Sequence, residues 1–169
     1  LIFCSRIEEA NELSKKFNEY GWRTLALSGA DLEEVRGDAI ERLVNDDINE
    51  LDYILSVDIF SEGVDVPEIN QVIMLRSTQS PIVFIQQLGR GLRKAEDKEY
   101  VVILDFIGNY KNNFMIPIAL SGDRSYNKDN VRKYVVSGNS LIPGASTIHF
   151  DEISKERIFN AVDNLKSMK

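Results

Sequence analysis

The sequence has one cysteine, Cys4, and one histidine, His149, among 169 residues. A disulfide framework is therefore excluded. So is a zinc site built from cysteine and histidine, because too few ligands exist. A Ser-His-Asp hydrolase would have only His149 as its base. No apolar run approaches the ~18–20 residues that cross a bilayer, and no signal peptide opens the chain. The ten glycines stand at 21, 29, 37, 63, 89, 91, 108, 122, 138 and 144. No two are five apart, so a G-x-x-x-x-G-K-S/T phosphate loop cannot form from this sequence. Gly89-x-Gly91 is followed by Lys94 where a dinucleotide fingerprint needs its third glycine. Positive charge is scarce as well. Lysine and arginine total 20 against 27 acidic residues, a net charge of −7, which weighs against a sequence-independent nucleic-acid coat. The chain opens on Leu1 inside an apolar run and reads as a piece of a longer protein.

What remains is ordinary for a globular chain, with 43% hydrophobic and 28% charged residues. Up to residue 108, short apolar runs alternate with amphipathic stretches. Leu1 to Cys4, Arg23 to Leu27, Leu51 to Val57, Gln71 to Leu75 and Tyr100 to Leu104 read as strands. Ile7, Ala10, Leu13, Phe17 and Tyr20 recur at helical spacing until Gly21, after a capping-box pattern of Ser5 and Glu8. Ser28-Gly29-Ala30 reads as a tight loop, and Asp31 with Glu34 as a second helix start. Val35, Ala39, Ile40, Leu43 and Val44 mark that helix's inner face. Ser80-Pro81 is a cap followed by proline at the first helical position, opening another helix.

This alternation predicts an α/β fold, with a parallel sheet covered by helices on both faces. Ligands of such sheets bind at the carboxyl ends of the strands. Function is therefore expected in the loops after Cys4, Leu27, Val57, Leu75 and Leu104. The texture changes after residue 108. Asn109 to Ile116 looks helical until Pro117, Asp129 to Ser137 gives a short helix ended by Gly138, and Ser154 to Lys166 gives a last one. Its apolar stripe is Ile158, Phe159, Val162 and Leu165. Residues 109–169 read as a small, mainly helical extension packed on the first domain.

Two segments carry chemistry. In Gln86-Gln87-Leu88-Gly89-Arg90-Gly91-Leu92-Arg93, two arginines three apart fall on one face of a helix or turn. Arginine is permanently charged and forks onto phosphate oxygens, so such a pair suits a phosphate gaining charge. A solvated basic patch would look the same in isolation. In Ser61-Glu62-Gly63-Val64-Asp65-Val66-Pro67, Gly63 allows close backbone approach, Ser61 offers a hydroxyl, and Asp65 can accept from a ribose hydroxyl. A plain strand-to-turn connection is the competing reading of that segment.

In this order, the segments resemble the second, C-terminal RecA-like domain of superfamily 2 helicases and translocases. Leu1 to Ser5 is similar to motif IV, Leu27-Ser28-Gly29 to the short motif after it, Ser56 to Pro67 to motif V, and Gln86 to Arg93 to motif VI. The resemblance covers residues 1–108 and looks closest to bacterial helicases related to type III restriction subunits. It implies a second motor domain whose Arg90 and Arg93 act as catalytic arginine fingers on ATP. It places Gly63, Asp65 and Gln86 beside the nucleotide, and Ser5, Arg6, Ser28, Gly29 and Ser61 on a nucleic-acid backbone. ATP and Mg2+ would be held mainly by a first motor domain of the same chain, and no metal by these residues. The fragment alone would be an inactive part of an ATP-hydrolysing, cytoplasmic parent without membrane contact.

The resemblance has limits. DEAD-box proteins carry histidine first in motif VI and a second glycine before its last arginine. Gln86 and Leu92 stand there instead, which favours DNA over RNA. Asp151-Glu152-Ile153-Ser154 only superficially resembles a metal-binding acidic box, and reads as a helix start complementing the dipole. His149 and Cys4 read as structural. A non-catalytic binding module of the same fold is the rival reading, and a flavodoxin-like small-molecule enzyme a third, disfavoured for want of a glycine-rich cradle. The acidic balance loses its force here, because a motor domain needs only a local phosphate-facing strip.

Overall fold

In a computed structural model, residues 1–45, 49–57, 59, 66–76, 95, 98–106, 113–123, 125, 127–137 and 147–164 are described. They fall into two compact units, one up to Phe106 and one from Asn113 onward. The first unit is built on five parallel strands: β1 (Ile2–Phe3), β2 (Thr24–Ser28), β3 (Tyr53–Val57), β4 (Gln71–Met74) and β5 (Val102–Asp105). Their order is β2-β3-β1-β4-β5. Helix α1 (Ile7–Glu19) joins β1 to β2, and α2 (Glu33–Val44) joins β2 to β3.

Strand β3 reads Tyr-Ile-Leu-Ser-Val, and its last four residues are all buried. Successive side chains of a strand point to opposite faces, so both faces of the sheet are covered here. On one face Leu55 and Val57 pack with Ile2, Cys4 and Ala10, and Ile7, Leu13 and Phe17 of α1 close over them. Ala39 is the buried residue of α2. The edge strand β5 is more open, with Val102 and Leu104 exposed.

Polar locks set the register between α1 and β2. Ser14 Oγ and Thr24 Oγ1 lie 2.8 Å apart, both side chains being buried. The Thr24 amide donates to Asn18 Oδ1 at 2.8 Å, and Asn18 Nδ2 donates to the Thr24 carbonyl at 3.2 Å. Helix α1 ends in a Schellman motif, with Trp22 N donating to Phe17 O at 3.0 Å and Gly21 N to Asn18 O at 3.1 Å. Gly21 has φ +90, a conformation that side-chain-bearing residues rarely adopt.

Several local expectations shift. Arg6 precedes α1 as its N-cap without a side-chain cap, so Ser5 is one residue too early. Glu9, not Glu8, reaches back to the Ser5 amide at 3.3 Å. Leu32 caps α2, because the Asp31 carboxylate is used by the Ser28 turn. Tyr20 follows the last turn of α1 and is 84% exposed. Val35 and Val44 are exposed, so α2 buries a narrower face than its spacing predicts. The helix expected after Ser80-Pro81 lies outside the described residues.

The second unit contains α3 (Met115–Ser121), α4 (Lys128–Ser137) and α5 (Glu152–Asn164). Pro117 does not end a helix as expected; it lies in the first turn of α3, where its missing N–H would have no partner anyway. Val131, Tyr134, Val135, Ile158 and Val162 are buried, and the Tyr134 and Phe150 rings meet edge to face at 6.5 Å. Arg132 of α4 pairs with Asp163 of α5. As expected, Asp151 opens α5: its carboxylate accepts from the Ser154 amide at 2.9 Å and the Ser154 hydroxyl at 2.6 Å. Gly138, Leu165 and Lys166 lie outside the described residues. Among the described residues no helix is long and apolar enough to cross a membrane.

One ion cluster carries a pH prediction. Arg23, just before β2, donates to Asp52 from its side chain and its amide, and pairs with Glu50. These bonds hold the Asp52 carboxyl below the ordinary carboxylate value, the side-chain bond contributing most. A depressed folded pKa adds stability above the unfolded value and loses it as pH falls through the folded one. Asp52→Asn should cost about 1 kcal/mol or less at neutral pH, given the partial exposure. The difference from wild type should shrink as pH falls below the ordinary carboxylate value and through the lowered folded-state pKa of Asp52. Urea unfolding at several pH values checks this.

Candidate functional site

Parallel strands place all their carboxyl ends on one rim. The register fixes which residues share it: Ser28 pairs with Val57 across β2 and β3, and Phe3 with Ser56 and Met74 across β1, β3 and β4. The Cys4 amide donates to Ser56 O at 2.9 Å, while the Leu75 and Arg76 amides both donate to Phe3 O at 3.0 Å. Ser28, Val57, Cys4 and Leu75 thus form a row across four strand ends. Ser5 and Arg6 lead off from β1, and Ser28 and Gly29 from β2. Strand β3 runs between them, and the chain beyond Val57 leads to Ser61, Gly63 and Asp65. Strands lie ~4.8 Å apart, so the loops after β1 and β2 begin ~10 Å from each other.

Ser28 is the last residue of β2 and is half-buried. Its amide donates to Asp31 Oδ2 at 2.6 Å and its hydroxyl donates to the same oxygen at 3.1 Å. The Asp31 amide returns to Ser28 O at 3.1 Å, which closes the turn. Aspartate suits this position because its short carboxylate reaches backbone amides two or three residues away. A Cβ added to Gly29 would meet nothing within 4 Å, so the space over the turn is open. That space gives a phosphate access to the backbone. Ser5 and Arg6 are both exposed, and Arg6 has an extended backbone (φ −142, ψ 149). The Arg6 guanidinium can therefore swing to meet an anion at the rim.

Beneath the row lies Cys4, fully buried. Burial first, and the charge of Glu9 second, push its thiol up to about 11. A thiol held protonated at neutral pH is not a nucleophile. This agrees with the structural reading of Cys4.

Ser61, Gly63, Asp65, Gln86, Arg90 and Arg93 lie outside the described residues. The strands that lead to and from them are described: β3 ends at Val57, β4 at Met74, and β5 begins at Val102. The geometry thus gathers Ser5, Arg6, Ser28 and Gly29 on one rim. Sequence reasoning missed Asp31 as the residue that shapes the Ser28 turn, since it read Asp31 as a helix cap. It also passed over Arg76, half-buried at the carboxyl end of β4, although the loop after Leu75 was flagged. A cation directly after an apolar run was the available signal.

A model of the helicase conserved C-terminal domain matches residues 1–95. "Putative ATP-dependent helicase IRC3" of Saccharomyces cerevisiae is 30% identical over 125 residues, 74% of this chain and 18% of that protein. The chain spans about a fifth of the length of the curated relatives it matches, 18% and 19% for two of them. The Escherichia coli DEAD-box protein SrmB, solved bound to regulator of ribonuclease activity A, superposes with a TM-score of 0.52 at 21% identity. That match covers 62% of this chain and 58% of the other. The C-terminal part of the Fun30 ATPase domain gives a TM-score of 0.53 at 14% identity, over 94% of this chain and 47% of the other. At such identities these two structures share the fold.

The Ser28 turn can be tested directly. Asp31→Ala should cost about 1 kcal/mol, as loss of a carboxylate holding backbone amides does. It should raise the hydrogen-exchange rate of the Ser28 amide while amides of α1 stay protected. An unchanged Ser28 rate would contradict the role given to Asp31.

Proposed function

The chain belongs to the helicase conserved C-terminal domain family, and from that premise we propose that it is the second RecA-like motor domain of an ATP-dependent DNA helicase or translocase. The observation that carries the reading is the rim: Ser5, Arg6, Ser28 and Gly29 stand at adjacent parallel strand ends around the exit of β3. An exposed Ser5, an open glycine turn and an exposed Arg6 suit a nucleic-acid backbone rather than base edges. Such contacts would be independent of sequence, as a translocating motor requires. Ser61 joins this track in the proposal.

Gln86, Arg90 and Arg93 form the nucleotide-facing part, with Gly63 and Asp65 beside them. A first motor domain of the same parent would hold ATP and Mg2+ for the most part. Arg90 and Arg93 would reach across the interdomain cleft and neutralise charge that develops on the transferred phosphoryl group. Closure around nucleotide would bring the rim loops onto the strand, and opening would release them. Alternating grip then gives movement. Residues 109–169 would be a helical and irregular C-terminal extension of this domain. The parent would work in the cytoplasm.

DNA is favoured as the track by Gln86 and Leu92, which depart from the DEAD-box form of motif VI. RNA is the second reading, because the relative SrmB, 26% identical over 93 residues, is named an ATP-dependent RNA helicase. A binding module with no ATP cycle is the third, and the presence of both arginines speaks against it.

Arg90→Ala and Arg93→Ala in the full-length parent separate these readings. Each should lower nucleic-acid-stimulated ATPase by about 10³-fold or more while binding to the strand persists. Unchanged ATPase would overturn the finger assignment. Stimulation of the wild type by single-stranded DNA over RNA of the same length supports the DNA reading, and the reverse order supports RNA.

A further inference from the structure

We infer that the apolar strip on edge strand β5 is the seat of an amphipathic helix contributed by the parent chain immediately before Leu1. On the motor reading above, which is the premise here, a first domain precedes Leu1 in the same chain. Strand β5 alternates exposed and half-buried residues, and its burial is the reverse of what its chemistry asks. Val102 and Leu104 are 39% and 44% exposed, while Asp105 on the opposite side is half-buried. Tyr100 before the strand and Phe106 after it continue the alternation, at 71% and 51% exposed. Single exposed apolar residues are ordinary, but four in one alternating row make a patch, and such patches mark interfaces.

Register assigns the row to one face. Leu104 pairs with Ile73 and Ile73 with Ile2, so Val102 and Leu104 lie on the side where α1 packs. There Ile7, Leu13 and Phe17 of α1 close over Ile2, Leu55 and Val57 of β1 and β3, while β5, two positions from β1 in the sheet, stays open. The point where the chain enters β1 selects the occupant. Leu1 is 4% exposed, its nitrogen donates to Gln71 O at 2.8 Å, and the Ile73 amide donates to Leu1 O at 2.8 Å. In the parent that nitrogen is a peptide amide, which keeps its bond as part of the ladder. Gln71 pairs with Val102. The residue before Leu1 therefore joins the sheet about 10 Å from Val102, two strand spacings away. From Tyr100 to Phe106 the row is about 20 Å long. A helix of about 13 residues has that length, and its ~10 Å width matches the pair β4 and β5. Laid along these strands and ending at their amino edge, it needs only a short loop to enter β1. A second copy would have to meet the entropy of association as well, which a tethered segment avoids.

The residues just before Leu1 in the parent should carry apolar side chains at i, i+3, i+4 and i+7. Leu104→Cys in the full-length parent tests the contact itself, because the native Cys4 is buried. Its maleimide labelling is measured relative to Val136→Cys, a position 71% exposed in the second unit. Labelling at Leu104→Cys should be about tenfold slower than in a parent whose helix before Leu1 is replaced by a Gly/Ser linker of equal length. Equal labelling in the two parents would overturn the assignment. So would protection that survives the linker: if it grows with protein concentration, a second copy sits on the strip, and if it does not, another part of the parent does. Should Leu104→Cys not fold, Val102→Cys carries the same expectations. The labelling rate is read without ATP turnover. Failure of the motor reading, seen as full ATPase in Arg90→Ala and Arg93→Ala, is therefore distinct from a strip that labels equally in both parents.

Discussion

Burial of β3 on both faces is the constraint on which the first unit depends. Ile54 and Leu55 are fully buried on opposite sides of one strand, and Ser56 and Val57 continue that burial toward the rim. A strand enclosed in this way must sit inside the sheet, with β2 on one side and β1 on the other. The strand ends that would face a ligand are therefore fixed by apolar packing well away from the ligand. Ser28 meets Val57 and Cys4 meets Ser56 because the core sets the register. A one-residue slip would turn Leu55 and Val57 away from α1.

Division of labour follows from that arrangement. The amino ends of β2 and β3 are locked by the Arg23 cluster and by the Ser14, Asn18 and Thr24 bonds. At the same amino edge Lys98 ties the approach to β5 to Pro67, while the carboxyl end of β2 carries a short turn shaped by Asp31. Rigidity at one end and accessible turns at the other would suit the proposed role, in which the rim meets a nucleic-acid strand and a nucleotide. The acidic net charge does not oppose this, because the rim needs only a few local cations and open amides.

The five strands and the parallel class were legible because buried parallel strands are short apolar runs, and Ile54 to Val57 is one. The family was legible because its motifs restrict residue types at fixed spacing, and the helicase conserved C-terminal domain matches residues 1–95. Cap positions were not, since Ser5 and Asp31 each have another use. Ser5 offers its amide to Glu9, and Asp31 closes a turn onto Ser28. A local pattern cannot tell which of two nearby partners a carboxylate will take. Pro117 misled for a related reason: proline ends a helix in its interior but opens one in its first turn, and the difference lies in residues before it. Lys98 was invisible in sequence because its partner is a backbone carbonyl 31 positions away.

In the proposed function this chain supplies arginines to an ATP site completed by another domain. ATP turnover by the isolated chain, measured against its parent at saturating Mg-ATP and single-stranded DNA, tests this most directly. Turnover is expected from the parent, and none above background from the isolated chain. A helicase-like rate from the isolated chain would contradict it.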